Sequence, residues 1–375
     1  MKYGVTRIFI TTEKLKKRGS CMITISLCMI VKNEERVLRR CLKSVADLMD
    51  EIIIVDTGST DKTKEIAAEF TDQIYDYTWE QNFAAARNFS FSKANMEYIY
   101  VADADEVLDE ENRKKFLQLK QVLLPEIDIV QMYYCNQLQF NTTYNFDKEY
   151  RPKLYKRIRK FEWVDPVHES VRIEPIIYDS EISILHLPEN NHGPRDFSLF
   201  QNMFRKGQEI SKKLHNMYAR ELFITGEQKD FLQAKDFFLQ SINDSNRSLD
   251  EIKEAALVLA RIYRYEGNVL KFFQYVMKDI VTRASSEGCY ELGCFYMQRD
   301  EYEEACNWFQ NAMNGAEANL NICYEKELPI KQLKICYSKL EEIAEETGQK
   351  ELAKEYQKAI ASIENEVVKG LRDTP

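Results

Sequence analysis

Short apolar runs alternate with amphipathic stretches through the first half of the chain, and only helical spacing remains from Arg195 onward. Residues 23–31 form an apolar run of strand length, closed by the polar Lys32-Asn33-Glu34-Glu35. Residues 36–49 then carry Val37, Leu38, Cys41, Leu42 and Val45 on one helical face. A second apolar run, 51–55, ends in Asp56-Thr57-Gly58-Ser59-Thr60-Asp61, and the spacing predicts another helix over 62–70. This β-α-β-α order predicts parallel strands joined by a right-handed crossover. A third run, Tyr98-Ile99-Tyr100-Val101, leads straight into Ala102-Asp103-Ala104-Asp105-Glu106. Further strands are predicted over 127–134, around 151–155, within 161–169 and over 182–186.

Asn33, Glu34, Asp56 and Asp103 all fall at strand carboxyl ends, where open α/β sheets bind their ligands. Residues i and i+2 of an extended chain point the same way, so Asp103 and Asp105 can converge on one hard cation. Such a cation can neutralise a diphosphate. Asp-x-Asp by itself suits a solvated acidic turn equally well. Gly58 can adopt positive φ and admit a ligand to the backbone, while Ser59 or Thr60 can cap the following helix. Arg87, set among Ala84, Ala85 and Ala86, suits a phosphate or a structural carboxylate.

The chain has 375 residues, enough for two domains with separate cores. Its net charge of −9 argues against general binding to nucleic acid or anionic membranes, so a diphosphate would depend on a local cation and Arg87. Nine cysteines lie scattered without metal-type pairing, several at apolar helical positions, which points to buried thiols in a reducing, cytoplasmic setting. No apolar run approaches the roughly 18 residues that span a bilayer. Residues 1–21 are read as a loose tail, with translation expected to start at Met22.

Ser26-Leu27-Cys28-Met29-Ile30-Val31-Lys32-Asn33-Glu34, Asp56-Thr57-Gly58-Ser59-Thr60-Asp61, Ala86-Arg87-Asn88 and Asp103-Ala104-Asp105 together resemble the family 2 glycosyltransferases, in order and in spacing. The resemblance covers about residues 22–190. It implies a GT-A fold, a mixed and mostly parallel sheet with helices on both faces. It also implies an inverting transferase that uses a UDP-sugar with Mn2+ or Mg2+. In that pattern Val31 and Asn33 border the nucleobase, Asp56 hydrogen-bonds uracil, and Glu34, Gly58 and Ser59 are further donor-binding candidates. Arg87 approaches the diphosphate, and Asp103 and Asp105 hold ribose and metal. His168-Glu169 resembles the family's His-Glu pair, which makes Glu169 the candidate base, with Asp165 close behind. His186, at a strand end, is a candidate third metal ligand or a structural histidine; His192 is less informative.

In the helical half, Tyr290–Tyr296 followed by Tyr302–Ala312 resembles a tetratricopeptide repeat, with Leu292-Gly293, Tyr296, Ala305, Phe309 and Ala312 at the expected offsets. Ala234 and Ala305 stand about two repeats of roughly 35 residues apart. The expected organisation is therefore a tail (1–21), a GT-A domain (22–194) and an all-α tetratricopeptide-like domain (195–375). The layout is similar to the sublancin-type peptide S-glycosyltransferases, which implies a peptide cysteine as acceptor. Transfer to a cell-surface or lipid-linked glycan, or a non-catalytic scaffold that binds nucleotide-sugar, are the competing readings. The helical half would recruit the acceptor or join two copies of the chain.

Overall fold

The computed structural model describes residues 6–7, 22–135, 148–159, 163–164, 170–171, 176–187 and 193–372. It divides into two compact units, Met1–Leu199 and Phe200–Pro375.

The first unit is built on strands β1 (Thr6–Arg7), β2 (Ile25–Val31), β3 (Glu51–Asp56), β4 (Ile74–Asp76), β5 (Tyr98–Val101), β6 (Glu106–Val107), β7 (Ile129–Cys135), β8 (Lys148–Lys156) and β11 (Ile176–His186). These make one sheet in the order β1-β11-β7-β8-β5-β2-β3-β4, with β6 on β11. The short strands β9 (Trp163–Val164) and β10 (Ser170–Val171) pair separately. Strands β2, β3, β4, β5, β7 and β11 run in one direction and β8 runs against them. The two-residue β1 lies parallel to Ile176–Ile177, and the remainder of residues 1–21 lies outside the described residues.

Two apolar layers explain why these runs become strands. One side packs Ile25, Leu27, Met29, Tyr98 and Tyr100 against α1 (Leu38–Val45), α2 (Thr63–Ala68) and α4 (Glu110–Val122) through Leu38, Leu42, Ile66 and Phe116. The other side packs Cys28, Ile53, Val55, Ile99 and Val101 against α3 (Phe83–Lys93) and Trp163. Central strands buried on both faces read as continuous apolar runs, as 23–31 and 51–55 do. The sheet is thus the mixed, mostly parallel, doubly covered one that a GT-A fold requires. The helix expected over 36–49 is shorter, because residues 46–48 tighten into a 3-10 turn before β3.

Helix α5 (Gly193–Arg205) leads to the second unit, which contains α6 (Lys212–Thr225), α7 (Gln228–Ile242), α8 (Leu249–Tyr265), α9 (Val269–Arg283), α10 (Ser286–Met297), α11 (Tyr302–Asn314), α12 (Glu327–Glu346) and α13 (Lys350–Arg372). No strand is present among its described residues. Ser211, Ser248, Asn268 and Ser285 cap the starts of α6, α8, α9 and α10 with their side chains. The small residue expected at the α10–α11 contact is needed there. A Cβ on Gly293 would sit 2.5 Å from Phe309 Cε1, and Phe309 and Ala305 are fully buried.

Candidate active site

Because β2, β3, β5 and β11 run the same way, Asn33, Asp56, Asp103, Asp105 and His186 all arrive at one edge of the sheet. Register aligns them closely: Val31 stands opposite Asp56, and Glu106 opposite His186.

The loops after β2 and β3 are tied together. Asn33 takes a left-handed φ of 55°, a conformation asparagine tolerates better than most residues. Its backbone N–H donates to Ser59 Oγ (2.9 Å) and its Oδ1 accepts from the Thr60 N–H (2.8 Å). The Glu34 N–H donates to Thr63 Oγ1 at 2.7 Å. Val31 is buried, and its carbonyl accepts from the Thr57 N–H and hydroxyl. Asn33 and Ser59 therefore shape the cradle by holding each other.

Asp56, 2% exposed, closes this cradle. Its Oδ2 accepts from the N–H groups of Gly58 (3.1 Å) and Ser59 (3.0 Å), while Oδ1 is buried with no hydrogen-bond partner. Gly58 makes the turn at φ 100°, and a Cβ there would meet open space. A buried carboxylate oxygen without a donor is costly, so the arrangement suits a ligand N–H.

Arg87 projects from α3, whose start is capped by Asn82 accepting from the Ala85 N–H (3.0 Å). The guanidinium is buried, donates to Asp103 Oδ1 at 2.9 Å and lies 5.2 Å from the Trp163 ring. Desolvation raises the Asp103 carboxyl, but Arg87 and then Lys153 outweigh it and hold it well below the ordinary carboxylate range. Asp105 Oδ2 lies 3.1 Å from His186 Nε2. The end of β11 is bound to this turn, since the Leu187 N–H donates to the Asp105 carbonyl (3.0 Å) and Arg40 donates to the Leu187 carbonyl (2.7 Å).

A buried ion pair beneath the two aspartates escapes sequence inspection. Glu106 and Lys153 are almost fully buried and bonded to each other through Oε1 and Nζ. Desolvation, aided by Asp103 and Asp105, pushes the Glu106 carboxyl up to about 7, against the opposing pull of Lys153. Lys153 lies where the register of β7 and β8 slips, between the Val130–Leu154 and Gln131–Pro152 pairs. A bulge re-aims the side chain it carries, which brings Lys153 to Glu106. The available signal was a lysine inside the otherwise apolar Pro152-Lys153-Leu154-Tyr155. Arg151, also unforeseen, lies 3.8 Å over the Tyr134 ring at the same edge of the sheet.

His168, Glu169, Asp165 and His192 lie outside the described residues. Among the described residues no three His, Cys, Asp or Glu side chains converge as a ready metal cage. Asp103 Oδ2 and Asp105 Oδ1 nonetheless carry no hydrogen bond there, as Arg87 and His186 engage the other oxygens. Two such oxygens fit a hard cation that takes its remaining ligands from phosphate and water.

Known proteins bear on this arrangement. Residues 26–172 match the model of the glycosyl transferase family 2. The chain is similar to the SPbeta prophage-derived glycosyltransferase SunS of Bacillus subtilis, 28% identical over 68% of this chain and 62% of that one. It is also similar to a TPR repeat-containing protein of Synechococcus elongatus, 47% identical over 24% of this chain and 22% of that one. It thus spans less than two thirds of the length of either relative. Among solved structures, glucosyl-3-phosphoglycerate synthase from Mycobacterium tuberculosis, in complex with Mg2+ and UDP, is 14% identical over 55% of this chain and 88% of that one, with a TM-score of 0.38. Asp56, Arg87, Asp103 and Asp105, which arrive at one sheet edge, all lie within the segment that matches the glycosyl transferase family 2 model, and a helical unit follows it in this chain.

Proposed function

We propose that this protein is an inverting, metal-dependent transferase that moves a sugar from a UDP-sugar to an acceptor. The observation that carries the reading is one sheet edge that holds both a buried acceptor without a donor, Asp56 Oδ1, and the Asp103–Asp105 carboxylates beside Arg87. Uracil offers an N3–H to Asp56 Oδ1, and the Gly58–Ser59 turn, Val31, Asn33 and Glu34 enclose the nucleoside. Asp103 and Asp105, with His186 against Asp105, would hold Mn2+ or Mg2+, which when bound offsets the diphosphate charge. Arg87 orients Asp103 and adds a positive charge at the same point. In the reaction the acceptor nucleophile attacks the anomeric carbon. The bond from that carbon to the diphosphate oxygen breaks, UDP leaves with the electron pair, and the acceptor proton passes to Glu169, with His168 beside it.

We take the acceptor to be a peptide cysteine, a reading supported by the resemblance of the sequence layout to the sublancin-type peptide S-glycosyltransferases, with a helical unit of the kind whose concave surface can receive a peptide. No helix among the described residues is long and apolar enough to cross a membrane. The test is incubation with a panel of UDP-sugars and a cysteine-containing peptide, with and without EDTA, read by UDP release and peptide mass. Metal-dependent UDP release with a hexose-sized mass gain is expected. A chain that binds UDP-sugar but never releases UDP would be a scaffold.

A further inference from the structure

We infer that Cys306 and Cys336 form an oxidative modification site, a thiol pair that hydrogen peroxide converts reversibly to a disulfide bond. Cys306 lies on α11 and Cys336 on α12, and both are buried, with 5% and 0% of their surface exposed. Their side chains hydrogen-bond each other across the contact between the two helices. One turn further along α11, Gln310 Nε2 donates to the hydroxyl of Tyr337, the residue after Cys336, at 2.8 Å. Tyr337 in turn stacks on Tyr356 of α13, with ring centroids 6.1 Å apart. The two helices are therefore held together at the level of the thiols by a second, independent contact.

The pairing separates these thiols from other buried cysteines of the chain. Cys28 and Cys41 each donate to a backbone carbonyl, of Ser90 (3.5 Å) and of Asp103 (3.4 Å), and burial raises both thiols. A thiol placed in that way is inert. The hydrogen bond from Cys306 instead lowers the Cys336 thiol against the effect of burial, while the same bond, together with burial, raises Cys306. Cys336 is thus the sulfur that ionises first, and Cys306 stands against it as the resolving thiol. The Cys336 thiolate attacks one peroxide oxygen, the O–O bond breaks and hydroxide leaves, which gives a sulfenic acid. The Cys306 sulfur then attacks that sulfur, the S–O bond breaks and water leaves with the thiol proton. Two thiols and one peroxide give one disulfide and two waters, the sulfurs being oxidised and the peroxide oxygens reduced. The sulfurs have only to close from hydrogen-bond contact to about 2 Å. In a reducing setting such a bond is transient and a dithiol reverses it by exchange. While it lasts it ties α11 to α12 and closes a loop of about 30 residues, which stabilises the helical unit. None of this depends on the transferase reading.

The test uses the full chain, reduced and then freed of reductant, with hydrogen peroxide as the probe. After treatment the remaining thiols are alkylated in denaturant, and the chain is read by intact mass and by non-reducing peptide mapping with fragmentation. Two fewer alkylated thiols, a Cys306–Cys336 cross-link and full reversal by dithiothreitol are expected, with the oxidised chain melting several degrees above the reduced one. C306S and C336S, shown by circular dichroism to be folded, should each lose both the cross-link and the melting shift. Mapping of the parent chain gives the answer even where a variant fails to fold. Cys306 and Cys336 that both remain alkylatable overturn the inference. So does a bond from Cys323 or another thiol in place of this one, or oxidation of either sulfur to the sulfinic or sulfonic acid without a cross-link.

Discussion

The unpaired Asp56 oxygen makes base selection testable with one substitution. In D56N the side chain has a single acceptor. The N–H groups of Gly58 and Ser59, at 3.1 and 3.0 Å, require that acceptor on the loop side, because the amide NH2 would meet two donors there. The NH2 is consequently turned to where Oδ1 now lies. In the proposed donor pose uracil presents N3–H at that point, so two donors would face each other and a charge-assisted hydrogen bond would be lost. Such bonds contribute about 1.5–3 kcal/mol, so UDP should bind roughly tenfold to a hundredfold more weakly. Cytosine presents a bare N3 instead. CDP should accordingly bind the parent poorly and D56N better, which reverses the preference between the two nucleotides. Isothermal titration of UDP and CDP against both proteins in magnesium-containing buffer measures this directly. D56A, which also releases the Gly58 and Ser59 N–H groups, should weaken both nucleotides without reversing their order. If D56N binds UDP as tightly as the parent, or loses UDP with no gain in CDP, Asp56 does not face the base.

D105A should abolish metal-dependent UDP release and leave the melting temperature within a few degrees, because the residue ends a turn and its loss opens no core cavity; activity within a few-fold of the parent would exclude the cation assignment. G293A places a methyl group 2.5 Å from the buried Phe309 ring, so denaturant unfolding should show a loss of about 1–3 kcal/mol, and a neutral result would mean that α10 and α11 do not rely on close contact. Burial works to raise the Glu251 carboxyl, but Arg247 at 2.7 Å and the Ser248 donors hold it at about 2, below the ordinary 4.5. A depressed carboxylate stabilises the fold above pH 4.5, and its contribution, about 3 kcal/mol, is lost as pH falls toward 2. The stability gap between parent and E251Q should therefore narrow between about pH 6 and pH 3, and a gap independent of pH would refute the assignment.

Local pattern alone placed the carboxyl ends of β2, β3 and β5 and the change to helical spacing in the second half, but it gave no strand over 74–76 and no helix over 83–93 or 110–122. Apolar runs of strand length, helical spacing and a glycine at a helix contact are properties of neighbouring residues, and Gly293 against Phe309 shows how far they reach. The same locality placed Asp56, Asp103 and Asp105 at carboxyl ends, and parallel strands bring those ends to one edge. What lies opposite each aspartate was settled by strand order and register between distant segments. Asp103 meets Arg87 from α3, Asp105 meets His186 from the far end of β11, and Glu106 meets Lys153 because a bulge in β8 turns it inward. The tertiary structure also decided which oxygen of Asp56 is left for a ligand, since the Gly58–Ser59 turn engages one and burial isolates the other. A hydrogen-bonded chain in the helical unit, Ser241–His215–Glu254, has the same origin: its members come from three helices, and no spacing along the sequence relates them before those helices pack.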